Sequence, residues 1–429
     1  MTDLLSLAPD RVAAMLRQER VALAWAVLDG DTVRVSHDFL APLVGFFADP
    51  RSGFSKHEAV FLRPHAELDL LLGAFVHDTT RGAGAGGTRL WAYDDLRGYL
   101  RDGLRLSQGM TRKNALAGLF WGGGKGVIGM GPGGKLEDRA QRDAAFNAYG
   151  DMMTALRGCY VTAEDVGVFT RDIAAIFARS RFVTCIPPEI GGSGDPSPHT
   201  ARGVIAGMQG ALAYRKMGTL AGKTIVVQGV GNVGGPLLSL LFEQGVAKVI
   251  ASDVSETLID KRRHELAGKP LELRLLARGD QSILATECDV LAPCALGAII
   301  DAKTIPLLRT KVICGAANNQ LDDPARDGRA LRERGITYVP DFLTNRMGIV
   351  NCANEQYGYV TPDPAIERHF GVDFRYSIPN ITREVLMRAE RDGIPEGDAA
   401  IALADELALV PHPIFPGRSR AIIQALTRT

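Results

Sequence analysis

The stretch that most restricts the architecture is KTIVVQGVGNVGGPLLSLLFEQGVAKVIASD, residues 223 to 253. An apolar run meets the turn Gly229-Val230-Gly231-Asn232-Val233-Gly234, continues with apolar residues at helical spacing, and ends in a second β-rich run closing on Asp253. Strand, glycine turn, helix and strand in that order make a βαβ unit, which commits this part of the chain to a doubly wound α/β domain with a parallel sheet. The short apolar runs CDVLAPCA, KVICGAA and TYVPDF further on are expected to supply more of its strands.

Each element of the turn has a task in holding a dinucleotide. Gly229 permits the turn, Gly231 lets a pyrophosphate approach the backbone, Gly234 allows close packing of the helix, and the helix N-terminus supplies partial positive charge. Asp253 lies 24 residues after Gly229, placed to accept hydrogen bonds from the ribose hydroxyls and to repel a 2′-phosphate. The following Val254 and Ser255 bring no arginine, so NAD is expected rather than NADP. A glycine turn that merely lets helix meet strand is the alternative, and the full βαβ context weighs against it.

At 429 residues the chain exceeds what one hydrophobic core usually supports, and two domains are expected. Residues 1–196 are read as a substrate-binding and oligomerisation domain of mixed α/β type, and 197–354 as the Rossmann-type domain. A helical return over 355–429 is expected to pack back on the first domain. In the first half, AVFLRP and LLLGAFVHDTT read as strands, and Asp94 to Gln108 and Asp138 to Leu156 as helices. Pro196 and Pro198 mark the junction, with Ser197 as a cap for the next helix.

Composition removes several classes of function. The 49 basic and 49 acidic residues balance, which argues against nucleic-acid or polybasic membrane partners. No apolar run is long enough to cross a bilayer and no signal-peptide pattern opens the chain, so a cytoplasmic protein is expected. The six cysteines form no C-x-x-C pair and the eight histidines show no ligand spacing; buried reduced thiols and no metal site are expected.

A second signal is MTRKNALAGLFWGGGKGVI, residues 110 to 128, in which three glycines precede Lys125. It is not a phosphate-binding P-loop, because Leu119 replaces the first glycine and Gly126 stands where Ser or Thr is required. The stretches GAGAGGTRLW, GMTRKNALAGLFWGGGKGVI, YVTAEDVG, GDPSPHTARGV, VVQGVGNVG, CDVLAPCALGAII and AANNQL occur in this order. In content and order they resemble the glutamate, leucine, phenylalanine and valine dehydrogenase superfamily, most closely its leucine and phenylalanine dehydrogenases. The resemblance runs from about residue 55 to 405.

The resemblance implies reversible oxidative deamination of an L-amino acid. Lys113 would bind the α-carboxylate with Asn318 and the backbone N–H of Gly87, Lys125 would work with the catalytic water, and Asp165 would hold the amino group and shuttle protons. Thr200 and the region of Asn318 would face the nicotinamide. On this reading the glycines before Lys125 let substrate and water approach the backbone. A lysine near Lys113, in a cleft closed by the second domain, is expected to have a lowered pKa.

In the glutamate-specific relatives a lysine directly precedes the GG of the GG-x-R motif and a serine lies near the second hinge; here those positions hold Ala85 and Cys352. Neither neutralises a carboxylate, so an apolar branched-chain or aromatic substrate is expected, with Ile349 and Cys352 lining the pocket and Ala85 leaving room. Arg346 and Met347 replace small residues of the family's hinge turn. They either repack that turn or bring a cation to an acidic substrate. A catalytically silent amino-acid or NAD sensor is a further alternative, weakened by the retention of Lys125 and Asp165. Extensions at both chain ends point to altered subunit contacts in a homo-oligomer.

Overall fold

The structure, a computed structural model, describes residues 3–358 and 360–428. The chain forms two compact units. The first comprises everything up to Asp195, the segment from Cys352 and the stretch from Asp405 onward; the second comprises Pro196–Asn351 and Val360–Ala404.

The first unit is built on a mixed sheet of β1 (Ala24–Asp29), β2 (Thr32–Val35), β3 (Ala59–Pro64), β4 (Leu71–Asp78), β5 (Gly84–Ala85), β6 (Thr88–Ala92), β7 (Gly122–Met130) and β8 (Tyr160–Val161). Its order is β2-β1-β3-β4-β7-β5-β8, with β6 also on β7. Neighbours from β2 to β7 run antiparallel, while β5 and β6 lie parallel to β7. Alternation along the strands divides the core. Val60, Leu62, Leu71 and Phe75 face one cluster with Leu96, Tyr99, Leu100 and Leu104, whereas Phe61, Leu72 and Val76 face another with Phe146, Tyr149, Met152 and Met153. Helices Leu96–Leu116 and Arg139–Ala155 thus cover opposite faces. Each begins at an aspartate: Asp95 accepts from the Gly98 N–H at 2.7 Å and Asp138 from the Gln141 N–H at 2.8 Å.

The N-terminal helix and the stretch from Asp405 both contribute to this unit's core. Val12, Ala13 and Leu16 of the Pro9–Gln18 helix are fully buried, and the β1–β2 hairpin extends the sheet. At the other end Ile423 enters the second cluster, Arg420 pairs with Glu58 at 2.6 Å, and buried Arg81 donates to the Leu407 carbonyl at 2.8 Å. The extensions are therefore structural parts of the core.

The second unit carries β9 (Thr224–Gln228), β10 (Lys248–Asp253), β11 (Leu271–Leu275), β12 (Val290–Pro293), β13 (Val312–Ile313) and β14 (Thr337–Tyr338). All neighbours are parallel and the order is β11-β10-β9-β12-β13-β14. The chain leaves β9 first to one side and later to the other, which is the switch point of a Rossmann-type sheet. Helix Ser197–Tyr214 opens with Pro196, not Ser197, in the cap position and without a side-chain cap bond.

The helical return differs from its expectation. Residues 360–404 stay with the second unit, while the short segment before them and the stretch from Asp405 join the first. Helix Ile378–Asp392 buries Ile378, Ile381, Thr382, Val385, Leu386 and Ala389. Its partner is the small-residue face of Ser197–Tyr214, where a Cβ built on Gly210 would lie 3.1 Å from Thr382 Cβ.

Candidate active site

The glycine turn between β9 and the Gly234–Glu243 helix has the shape a dinucleotide needs. Gly229 adopts φ +94°, and a Cβ there would fall 2.5 Å from Ala295 Cβ. A Cβ on Gly234 would overlap the Gly229 carbonyl oxygen, whereas one on Gly231 would meet no atom within 4 Å. The first and last glycines are thus filled by the protein and the middle one faces open space, the cradle a pyrophosphate would occupy. Asp253 ends β10 with Oδ2 accepting from the Val230 N–H at 2.8 Å and Oδ1 from the Ser255 N–H at 2.9 Å, so its carboxylate is fixed beside the turn. Val254 is exposed and Asn232 and Val233 complete the turn before the helix.

In the first unit, Lys125 lies in the middle of β7 and is only 4% exposed. Its Nζ stands 2.8 Å from Asp165 Oδ2, and Arg89 Nε reaches the same oxygen at 3.1 Å. Burial lowers the Lys125 pKa from the usual lysine value, with Asp165 opposing it. Burial pushes the Asp165 carboxyl upward, but Lys125 and Arg89 together outweigh it and hold the pKa at about 2. The site thus stores an ionised carboxylate against a lysine whose charge is costly. Gly87 is pressed against the same loop: a Cβ there would lie 2.8 Å from Asp165 Cβ.

The glycines around Lys125 have a different reason from the expected one. A Cβ on Gly123 would overlap Thr111 Oγ1, one on Gly124 the Tyr160 ring, and one on Gly126 both Thr88 Oγ1 and the Tyr149 hydroxyl. These positions are occupied by protein atoms, leaving no room for substrate or water. They are glycine because every residue of β7 is buried between tightly packed neighbours.

The other expected residues are divided between the units. Lys113 lies in the last turn of Leu96–Leu116, partly buried, on the helix that packs over β7. Ala85 in β5 is enclosed on all sides, so it presents no free room. Cys352 is buried with its Sγ 2.7 Å from Cys185 Sγ, and that neighbour together with burial pushes the Cys185 thiol well above its usual pKa. In the second unit, Thr200 donates to the Pro196 carbonyl at 3.1 Å, Ile349 is buried in the Met347–Asn354 helix, and exposed Asn318 accepts through Oδ1 from Asn345 Nδ2 at 2.7 Å. Arg346 is fully buried and donates to the Tyr376 carbonyl at 2.5 Å; burial lowers its pKa to about 9.

Sequence reading passed over Arg89, Asp102 and Tyr93. Arg89 Nη1 meets Asp102 Oδ2 at 2.8 Å, and the Tyr93 hydroxyl donates to that oxygen at 2.8 Å. Arg89 had been only the last letter of the GG-x-R motif, and nothing local announces a partner 76 residues away. Arg262 was also missed: its Nε donates to the Val230 carbonyl at 3.3 Å beneath the glycine turn, and it pairs with Glu265.

Comparison with known proteins agrees across the chain. The family described as Glutamate/Leucine/Phenylalanine/Valine dehydrogenase matches residues 191–406, and the one described as Glu/Leu/Phe/Val dehydrogenase, dimerisation domain, matches residues 72–181. The leucine dehydrogenase of Geobacillus stearothermophilus is 42% identical over 352 residues, which is 82% of this chain and 90% of that protein. The valine dehydrogenase of Streptomyces albus is 35% identical over 82% of this chain and 92% of its own. Among solved structures, L-tryptophan dehydrogenase from Nostoc punctiforme gives a TM-score of 0.67 at 31% identity, over 85% of this chain and 97% of that one. With both units matched in this way, the chain belongs to the Glutamate/Leucine/Phenylalanine/Valine dehydrogenase family and is an amino acid dehydrogenase.

Proposed function

We propose that this enzyme catalyses the NAD-dependent, reversible oxidative deamination of an apolar L-amino acid, branched-chain or aromatic, to the 2-oxo acid and ammonia. The observation that carries the reading is the buried Lys125–Asp165 pair at 2.8 Å in a chain of this family. The first unit takes the amino acid and the second the dinucleotide. A dinucleotide whose pyrophosphate is held at the glycine turn would supply the acceptor for the hydride on Cα. Lys113 receives the α-carboxylate by charge, helped by the Gly87 N–H. Both cations address Oδ2 of Asp165, which leaves Oδ1 to accept from the substrate's ammonium. Lys125, its pKa lowered by burial, takes a proton from the water that adds to the iminium carbon. The ammonium first gives up one proton through Asp165, so that loss of the hydride leaves an iminium, and Asp165 later passes the proton held on Lys125 to the departing nitrogen as the carbinolamine collapses. Amino acid, water and oxidised dinucleotide become oxo acid, ammonium, reduced dinucleotide and a proton.

NAD is preferred over NADP because the fixed Asp253 carboxylate suits ribose hydroxyls and opposes a 2′-phosphate. Arg262, the arginine near the turn, is engaged with the Val230 carbonyl and Glu265. L-Glutamate is excluded because Ala85 and Cys352 offer no countercharge and Arg346 is turned to the Tyr376 carbonyl. The match of residues 72–181 to a dimerisation domain supports a homo-oligomer. The test is NADH formation across a panel of L-amino acids. L-Leucine, L-valine or L-phenylalanine should be oxidised and L-glutamate should not; dinucleotide binding with no turnover on any apolar amino acid would point to a silent sensor and end the catalytic reading.

A further inference from the structure

We propose that Arg89, braced from behind by Asp102 and Tyr93, is a positioning residue that fixes the Asp165 carboxylate against Lys125. This rests on the reading of Lys125 and Asp165 as the proton-transfer pair. Asp165 follows the two-residue strand β8, in a loop with little structure of its own. Strand β6 supplies the missing frame. The Thr88 N–H donates to the Ala163 carbonyl at 2.8 Å and the Leu90 N–H to the Val166 carbonyl at 3.0 Å, so the backbone on either side of Arg89 grips the loop on either side of Asp165. The Arg89 side chain then closes the gap with its 3.1 Å bond to Oδ2.

A single cation would leave the carboxylate free to turn about it; a second on the same oxygen removes that freedom. Asp102 in turn has both oxygens engaged, Oδ2 by Arg89 and Tyr93 and Oδ1 by Arg105 at 3.3 Å. Charges alternate along the line Lys125, Asp165, Arg89, Asp102, and the side chains are mostly shielded from water. The groups facing the pair are Arg89 from β6, Tyr160 from β8 and Asp102 from the Leu96–Leu116 helix. Of these Arg89 is the one that lowers the pKa of both Lys125 and Asp165.

The experiment uses full-length Arg89→Leu, Arg89→Lys and Asp102→Asn. For Arg89→Leu, kcat/KM with an oxidised amino acid should fall roughly 100-fold, the cost of a misplaced catalytic group. The alkaline rise of its pH profile should move upward by about 1 as Lys125 loses a neighbouring positive charge. Dinucleotide affinity should stay unchanged. Arg89→Lys should restore the position of the pH profile and part of the rate, and Asp102→Asn should lower kcat/KM by loosening Arg89.

A readout independent of turnover is the carboxyl 13C titration of Asp165, whose midpoint should rise from about 2 by roughly 1 to 3 in Arg89→Leu. A folded Arg89→Leu with a wild-type Asp165 titration and pH profile overturns the proposal. If Arg89→Leu fails to fold, a folded Arg89→Gln with a wild-type Asp165 titration and pH profile overturns it equally. A wild-type enzyme that oxidises no amino acid would sink the catalytic reading, while the titration still decides on Arg89.

Discussion

Lys125 is enclosed by neighbouring strands and rings, and its charge is sustained by the carboxylate opposite. Lys125→Ala and Asp165→Asn should each lower kcat by roughly 10²- to 10⁴-fold, the range for a lost acid–base group, while a fluorescence titration finds dinucleotide affinity unchanged. The pH response carries a sign. Asp165 raises the pKa of Lys125, so Asp165→Asn lets it fall further and the residual activity should rise at lower pH than in the wild type, opposite to Arg89→Leu. Measuring the midpoint of log kcat/KM against pH for both variants checks the pair. Asp253→Asn should narrow the preference for NAD, read as the ratio of kcat/KM for the two dinucleotides, because a neutral side chain no longer repels a 2′-phosphate. Lys125 and Asp165 were legible through motif resemblance. Arg89 was not, because its role exists only once β6 lies beside the 163–166 loop.

At the level of elements, β7 shows where reading by pattern stops. GGGKGVIGM lacks the β-branched alternation that marks a strand, yet it pairs with β4, β5 and β6. Its low side-chain content is what lets the Leu96–Leu116 helix, Tyr160, Thr88 and Tyr149 approach so closely. Gly126→Ala should therefore lower stability by about 1 to 3 kcal/mol or more, seen as a fall in Tm, with activity lost in parallel because Lys125 is the preceding residue. Ala85→Leu should act in the same way. Its site is closed, so loss of Tm should precede any change in substrate preference. The βαβ unit, by contrast, was readable, since its turn, helix and both strands are specified within one continuous stretch.

For the whole molecule, the first unit is assembled from sequence-distant pieces. The N-terminal helix and hairpin were visible only as an extension, yet Val12, Ala13 and Leu16 are as buried as any family motif. Removing residues 1–36 should strip one face of the sheet and leave β3 as an open edge; lowered Tm and concentration-dependent aggregation in light scattering would register it. At the other end, the bonds of Arg420 to Glu58 and of Arg81 to Leu407 span 362 and 326 positions. During synthesis this makes the order of assembly unequal. The second unit has all of its own residues once Ala404 has been made, whereas the first, although its sheet precedes it, waits for the stretch that begins at Asp405. A chain interrupted before Arg420 would lack the Arg420 and Ile423 contacts, so the half that carries Lys125 and Asp165 completes its core only after every residue of the second unit has been made.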